Sequence, residues 1–189
     1  MPLTESERTE LLEVARRSIA HGLARAQPLP VDRQAPTPLD RPGASFVTLH
    51  RQRQLRGCIG SLEARRPLLA DVAANAYAAA FRDPRFPPLQ AAEMPDLAVD
   101  VSVLSPAAAL TFSDQEDLLA QLRPGIDGLI LADRGLRGTF LPSVWESLPT
   151  PDAFLQQLKL KAGLPVEHWS DSLEVWRYTT ESFGDSYPD

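Results

Sequence analysis

The chain has 189 residues with a net charge of −6 and a sequence pI near 5.1, and 43% of its residues are hydrophobic. This composition predicts a soluble globular protein of one domain or two joined subdomains, and its acidity argues against general nucleic-acid binding. No apolar run approaches the roughly 18 residues of a membrane span, and residues 1–10 are charged where a signal peptide would be apolar. We therefore expect a cytoplasmic protein that does not associate with a membrane.

The first segment is predicted to be an amphipathic helix. Residues 4–7 have the sequence of a capping box, and apolar residues then recur at helical spacing. Five prolines between residues 27 and 43 predict a stiff, extended connector without regular structure. The predicted organisation is an N-terminal helix over 1–26, the connector over 27–43, a main domain over 44–183 and a tail over 184–189.

Residues 45–50 and 54–60 are predicted to form a β-hairpin with a three-residue loop. This register places His50 opposite Gln54, so that Cys58 lies four residues further along the partner strand. The separation of His50 and Cys58 is then about 13 Å, at roughly 3.3 Å per residue. Because a catalytic cysteine and its histidine must approach to about 3 Å, we interpret His50 as a surface residue.

Helices and hairpins alternate through the rest of the chain. The predicted elements are a helix opened by Pro67 and ended by residues 82–88, a half-buried strand over 97–104, a short helix after Ser113, a hairpin of 127–133 with 139–145, a helix from Pro151 to Gly163 and a strand over 173–178. Strands joined by hairpins, with helices between them, predict an α+β fold in which an antiparallel or mixed sheet is flanked by helices.

The hexapeptide Leu-Arg-Gly-Cys-Ile-Gly at residues 55–60 is the centre of the candidate site, and it contains the single cysteine of the chain, Cys58. Gly57 and Gly60 permit the close approach of another backbone or a ligand, at a cost in strand packing. Arg56 is two positions before Cys58, so both side chains would leave the same face of an extended strand. A guanidinium near a thiol favours the thiolate, and the pattern therefore indicates a reactive or anion-binding face.

Arginine is concentrated around this hexapeptide. Seven arginines and three acidic residues lie between Arg51 and Arg85. The planar guanidinium suits bidentate anions, so the predicted partner of this stretch is a small anionic molecule, such as a carboxylate or phosphate, or an acidic protein surface. The alternative is that so much arginine reflects a GC-rich genome.

Known motifs for cofactor and metal binding are missing from the sequence. It contains no phosphate loop, no G-x-G-x-x-G before a helix, no G-x-S-x-G elbow and no H-E-x-x-H. Its three histidines are scattered, and with one cysteine they do not have the spacing of a zinc site. We therefore predict neither a metal nor a cofactor.

Six segments, in order, resemble the AMMECR family and, within it, the bacterial proteins that form component A of AmmeMemoRadiSam systems. The matching segments are 55–60, 83–89, 101–105, 123–128, 140–146 and 161–165. The resemblance implies an α+β protein of two closely packed subdomains without an established reaction. It also implies two partners, a Memo-like protein and a radical S-adenosylmethionine protein.

Two functional hypotheses remain open. In the first, which we favour because no base, metal or cofactor motif accompanies the thiol, the chain is an accessory protein that binds a partner or a substrate. In the second, it is an enzyme that uses Cys58 as a nucleophile or redox thiol on an anionic substrate. Alternatively, Cys58 is a small buried strand residue, and Asp83 caps the turn before Pro84 and pairs with an arginine. The predicted catalytic residue is Cys58, and the predicted binding residues are Arg56, Gly57, Gly60, Asp83, Arg85, Phe86, Pro142 and Glu146.

Overall fold

The computed structural model describes residues 2–31 and 37–185. The chain divides into two compact units, one containing the residues up to Leu104 together with those from Glu181 onward, and the other Ser105–Thr180. Each unit contains one antiparallel sheet and at least one α-helix packed against it, which confirms the predicted α+β fold. No helix among the described residues is both long and apolar enough to cross a membrane.

Four α-helices and nine strands make up the regular structure of the described residues. The helices are α1 (Glu5–Arg25), α2 (Leu68–Phe81), α3 (Gln115–Gln121) and α4 (Pro151–Ala162). The strands are β1 (Pro42–Arg51), β2 (Gln54–Gly60), β3 (Arg66–Pro67), β4 (Leu97–Leu104), β5 (Ala108–Ala109), β6 (Gly128–Asp133), β7 (Leu136–Phe140), β8 (Glu174–Tyr178) and β9 (Thr180–Gly184). Three short 3₁₀ helices lie at Pro38–Asp40, Ala91–Asp96 and Pro142–Glu146.

Helix α1 begins where the sequence predicts. Thr4 is its N-cap, and the capping box with Glu7 is complete, since each side chain accepts the backbone N–H of the other residue. The apolar stripe of the helix is fully buried at Leu11, Ala15 and Ile19. The helix is therefore fixed at its start by local hydrogen bonds and along its length by packing.

The predicted connector is regular at its C-terminal end. Residues 38–40 form a 3₁₀ helix, and β1 already begins at Pro42. The prediction that prolines exclude regular structure throughout 27–43 is therefore wrong for this part, because proline is accepted at the first position of a helix or a strand, where no backbone N–H is needed. Residues 32–36 of the predicted connector lie outside the described residues.

The first sheet has the strand order β2-β1-β4-β9, and β3 pairs with the start of β1. Helices α1 and α2 pack together with its inward face, which carries Val47, Leu49, Val99 and Val101, all buried. The opposite face carries the alternate residues of the same strands, and Phe46, Thr48, His50, Ala98, Asp100 and Ser102 among them are only half-buried. Strand β9 was not predicted, and it extends this sheet from a segment that is far away in the sequence.

The β1–β2 hairpin differs from its predicted register. The turn contains two residues, Gln52 and Arg53, which both have left-handed backbone conformations, with φ of 51° and 64°. A bulge follows, because Leu49 pairs with Gly57 whereas His50 pairs with Leu55. The predicted three-residue loop is therefore wrong; left-handed conformations are unusual for glutamine and arginine, so the sequence carries no signal for this turn.

The second sheet has the order β5-β8-β6-β7. Strands β6 and β7 form the predicted second hairpin with a shorter turn, but Pro142–Glu146 is a 3₁₀ helix where we predicted a strand. A proline at the first position favours this helix and would remove a ladder hydrogen bond from a strand. Trp145 of this helix stacks on Phe154 of α4 in the core of the unit, with ring centroids 3.8 Å apart.

Candidate functional site

Seven of the nine predicted site residues come together in the first unit. The hexapeptide and Gln54 form β2, an edge strand that has β1 on one side only. The turn after α2 lies along the other side of β2 and contacts it through Asp83 and Arg85. The two remaining predicted residues, Pro142 and Glu146, belong to the second unit.

Asp83 and Arg85 cap the open edge of β2 at Cys58. The backbone N–H of Cys58 donates to Oδ2 of Asp83 at 2.9 Å, and Nη2 of Arg85 donates to the backbone carbonyl of Cys58 at 3.3 Å. Arg85 also binds the Asp83 carboxylate through two nitrogens, at 2.7 and 3.0 Å. Two side chains thus satisfy the backbone groups that an edge strand leaves unpaired.

The two capping residues differ in exposure and stabilise each other's charge. The Asp83 side chain is 2% exposed and the Arg85 side chain 54%. Hydrogen bonds from Arg85, together with the backbone N–H of Cys58, hold the pKa of Asp83 far below its ordinary value. The pKa of Arg85 is raised, mainly by its hydrogen bonds to Asp83 and in smaller part by the nearby Cys58 sulfur. The buried Asp83 carboxylate therefore stays ionised, and the charged guanidinium of Arg85 is partly exposed to solvent.

Arg56 forms an ion pair with a carboxylate of the same chain. Its Nε and Nη2 donate to the two oxygens of Glu93 at 2.8 and 3.0 Å, and Nη2 also donates to the carbonyl of Pro87. Its side chain is 11% exposed. Arg56 lowers the pKa of Glu93 to about 2. The hypothesis that Arg56 is the activator of the thiol is thus not supported by its contacts, which hold residues 87–93 against the strand.

The two glycines of the hexapeptide are required by packing within the chain. A Cβ atom on Gly57 would overlap the backbone carbonyl oxygen of Ala79 in α2, and a Cβ atom on Gly60 would overlap the ring of Phe46. Of the two alternatives that the sequence allows, close approach of a backbone or of a ligand, the structure shows a backbone at Gly57. Helix α2 can therefore pack directly on β2.

Cys58 lies on the half-buried face of the first sheet, beside a hydroxyl group. Oγ1 of Thr48 donates to Sγ of Cys58 at 3.3 Å. Thr48 is directly opposite Cys58 on β2 and directly opposite Asp100 on β4, so the three side chains leave the same face. On this face Nδ1 of His50 is 3.0 Å from Oδ2 of Asp100. We call Cys58, Thr48, His50 and Asp100 the thiol row.

The predicted register, which places His50 about 13 Å from Cys58, is wrong. Because the turn has two residues and is followed by a bulge, Cys58 faces Thr48, and His50 is two residues from Thr48 on the same strand. Diagonal neighbours of this kind in an antiparallel pair are about 7–8 Å apart, within reach of an aromatic side chain. Thr48 and Asp100 were not predicted as site residues, since only the register places them beside the cysteine.

A second polar cluster, which the sequence did not indicate, lies in the second unit. The buried carboxylate of Asp133 accepts hydrogen bonds from Ser170 and Ser172 at 2.7 and 2.6 Å and contacts Nε2 of His168. These contacts, led by that from Ser172, lower the pKa of Asp133 to about 2. The cluster joins the end of β6 to the segment before β8. No group of three or more metal-binding side chains was found among the described residues.

Comparisons with known proteins agree with the predicted resemblance at the level of the family. A family model described as AMMECR1 matches residues 12–183. A protein from Methanothermobacter thermautotrophicus is 35% identical over 188 residues, which cover 96% of each chain. A protein from Thermotoga maritima is 39% identical over 145 residues, which cover 76% of this chain and 78% of its own. The names of these two proteins state no activity.

A solved structure supports the fold. The crystal structure of an uncharacterized protein from Pyrococcus horikoshii superimposes with a TM-score of 0.88 at 32% identity. The match covers 98% of this chain and 95% of that chain. The α+β fold described above is therefore shared with a protein known from experiment.

Proposed function

Because this chain belongs to the AMMECR1 family, we propose that it is a cytoplasmic binding component of a three-protein AmmeMemoRadiSam system, acting with a Memo-like protein and a radical S-adenosylmethionine protein. The surface that we assign to this role is the capped edge of β2, formed by Cys58, Asp83, Arg85 and Phe86. One observation carries the proposal: the half-exposed guanidinium of Arg85 is fixed beside the Cys58 backbone by a buried carboxylate.

This edge has the properties of a preformed docking site. Arg85 lies over the ring of Phe86, with its central carbon 5.5 Å from the ring centroid. Three prolines, Pro84, Pro87 and Pro88, restrict the exposed turn around this pair. Arginine and aromatic residues are enriched at the centres of protein interfaces, and a rigid surface loses less entropy on binding. An acidic surface of the partner protein is the chemistry that the guanidinium fits.

The experiment is a titration of each purified partner with the full chain by calorimetry. We expect the Arg85→Glu and Phe86→Ala variants to bind at least about 10-fold more weakly, which corresponds to about 1.4 kcal/mol. Arg65→Glu is the matched control, since Arg65 is 81% exposed and lies outside the edge. Circular dichroism establishes that each variant is folded. Undiminished binding by both folded variants, or no binding of the wild-type chain to either partner, would overturn the proposal.

A second candidate function is thiol chemistry at Cys58, and the hydrogen bond from Thr48 favours it. A hydroxyl that donates to sulfur stabilises the thiolate, which is the nucleophilic form. Cys58 is half-buried rather than sealed. We expect iodoacetamide to modify Cys58 in the folded protein. Modification that requires denaturant would exclude this candidate and leave the docking role untouched.

A further inference from the structure

We infer that residues 123–127 form a second protein-docking surface, in which the exposed side chain of Ile126 enters an apolar pocket of a partner protein and Arg123 pairs with a carboxylate at the rim of that pocket. We call these residues the Arg123 turn. The inference rests on the proposed function, since it takes the chain to be a component that binds other proteins. It goes beyond that function by giving the second of the two partners a surface of its own, in the second unit.

Hydrogen bonds within the Arg123 turn fix its backbone. The carbonyl of Arg123 accepts the N–H groups of Ile126 and Asp127, both at 3.1 Å, and the N–H of Arg123 donates to Oδ2 of Asp127 at 3.0 Å. Pro124 restricts its own φ, and Gly125 has the left-handed conformation that glycine accepts best, with φ of 77°. A Cβ atom on Gly125 would have nothing within 4 Å. The turn is therefore held in shape by its own atoms, and its tip is open.

A buried tryptophan anchors the turn to the core of the second unit. Nε1 of Trp145 donates to the backbone carbonyl of Asp127 at 2.7 Å, and the Trp145 ring stacks on Phe154. Trp145 belongs to the segment 140–146 and the turn to the segment 123–128, so this contact joins two of the segments that resemble the AMMECR family. The capped edge of β2 uses neither of them.

The turn buries a charge and exposes an apolar side chain, which is the reverse of the usual arrangement. Asp127 is 0% exposed, whereas Ile126 is 51% exposed and the Arg123 side chain 48%. Nε and Nη2 of Arg123 donate to the Asp127 carboxylate, and these hydrogen bonds raise the pKa of Arg123. Burial of a carboxylate has a desolvation cost, and the contacts that offset it here hold an isoleucine in solvent. Docking on a partner protein would bury that side chain, which is favourable.

The charge of the turn indicates the chemistry of its partner. Asp127 occupies Nε and Nη2 of Arg123, and Nη1 has no hydrogen bond among the described residues, so it can bind a carboxylate of another protein. The capped edge of β2 has the same arrangement, in which a buried carboxylate fixes the half-exposed Arg85 beside the apolar ring of Phe86. A chain that joins two other proteins needs two separate surfaces, and each of its compact units carries one of this kind.

The test is calorimetric titration of the full chain with the Memo-like protein and with the radical S-adenosylmethionine protein. Ile126→Asn and Leu160→Asn are matched variants, because both residues are about half-exposed in the second unit and Leu160 lies on α4, outside the turn. We expect Ile126→Asn to weaken the binding of one protein at least about 10-fold, and Leu160→Asn less than about 2-fold. Ile126→Asp has nearly the same shape as Ile126→Asn but adds a negative charge, so we expect a further loss of at least about 10-fold. The other protein, which binds through Arg85, keeps its affinity for all three variants.

The outcomes separate this inference from the proposed function, once circular dichroism has established that each variant is folded. If the wild-type chain binds neither protein, the proposed function fails and the inference fails with it. If Arg85→Glu weakens binding and neither Ile126 variant does, the capped edge of β2 keeps its role and the inference is overturned. Loss of the same protein in the Arg85 and Ile126 variants overturns the assignment of separate partners. Equal effects of Ile126→Asn and Ile126→Asp overturn the pairing of Arg123 with a carboxylate.

Discussion

Asp83 accepts the backbone N–H of Cys58, at the position where a neighbouring strand would provide a carbonyl group. A side chain thus completes the hydrogen bonding of an edge strand at the one cysteine of the chain, and Arg85 holds that side chain in its ionised form. Uncapped edge strands pair readily with other chains. The cap therefore blocks strand pairing at this point. The Arg85 side chain is then the group at this edge that a partner protein can contact.

Replacement of Asp83 tests the cap. Asp83→Ala removes the acceptor of the Cys58 N–H and leaves the Arg85 guanidinium without its carboxylate, so we expect a loss of about 3 kcal/mol in the free energy of unfolding. Urea denaturation measures this loss. Glu63→Ala is the control, because its ion pair with Arg65 is exposed and is worth less than about 1 kcal/mol. Equal effects of the two substitutions would contradict the role of Asp83.

The Gly57→Ala variant tests the packing of α2 on β2. The added Cβ would overlap the carbonyl oxygen of Ala79, which belongs to helix backbone and cannot move away as a side chain can. We expect destabilisation of about 3 kcal/mol, at the upper end of the range for overpacked cores. Gly135→Ala is a useful comparison, since nothing lies within 4 Å of its Cβ and its cost of about 1 kcal/mol arises from its positive φ. A Gly57→Ala variant of wild-type stability would show that the close approach is not required.

The Asp133 cluster predicts a pH dependence of stability. The pKa of the Asp133 carboxyl is lowered from 3.8 to about 2 in the folded protein. A group with a lowered pKa contributes stability above its unfolded-state pKa, and this contribution is lost as the pH falls through the folded-state pKa. We therefore expect the difference in stability between wild type and Asp133→Asn to shrink between about pH 4 and pH 2. Denaturation midpoints of both proteins across this range measure the difference, and parallel curves would rule out this contribution.

Local signals in the sequence were sufficient for α1, because the Thr4 and Glu7 side chains act within one turn of the helix. They were insufficient for the β1–β2 register, which depends on left-handed conformations at Gln52 and Arg53 and on a bulge beside them. The shorter turn and the bulge each shift the register by one residue, so that Cys58 faces Thr48 and not Phe46. The predicted pairing of His50 with Gln54 is wrong for this reason, although the hexapeptide itself was placed correctly on a strand.

The arginine-rich stretch shows a second limit of prediction from the sequence, which compares only residues that are near each other along the chain. Arg56 was assigned an external anion, but its partner Glu93 lies 37 residues further on, beyond the stretch in which charges were compared. Asp133 and its partners Ser170 and Ser172 are likewise separated by 37 and 39 residues. Charge balance is a property of folded surfaces, so a local excess of arginine does not by itself define an anion site.

The most direct test of the proposed docking edge is site-specific photo-crosslinking. p-Benzoylphenylalanine replaces Phe86 in one variant and Arg65, which is exposed and outside the edge, in the control. Each is irradiated with the Memo-like protein and with the radical S-adenosylmethionine protein, and the products are separated by mass. The proposal predicts a crosslinked heterodimer with at least one partner from position 86 and none from position 65. A stable complex that crosslinks from position 65 but not from position 86 would contradict it.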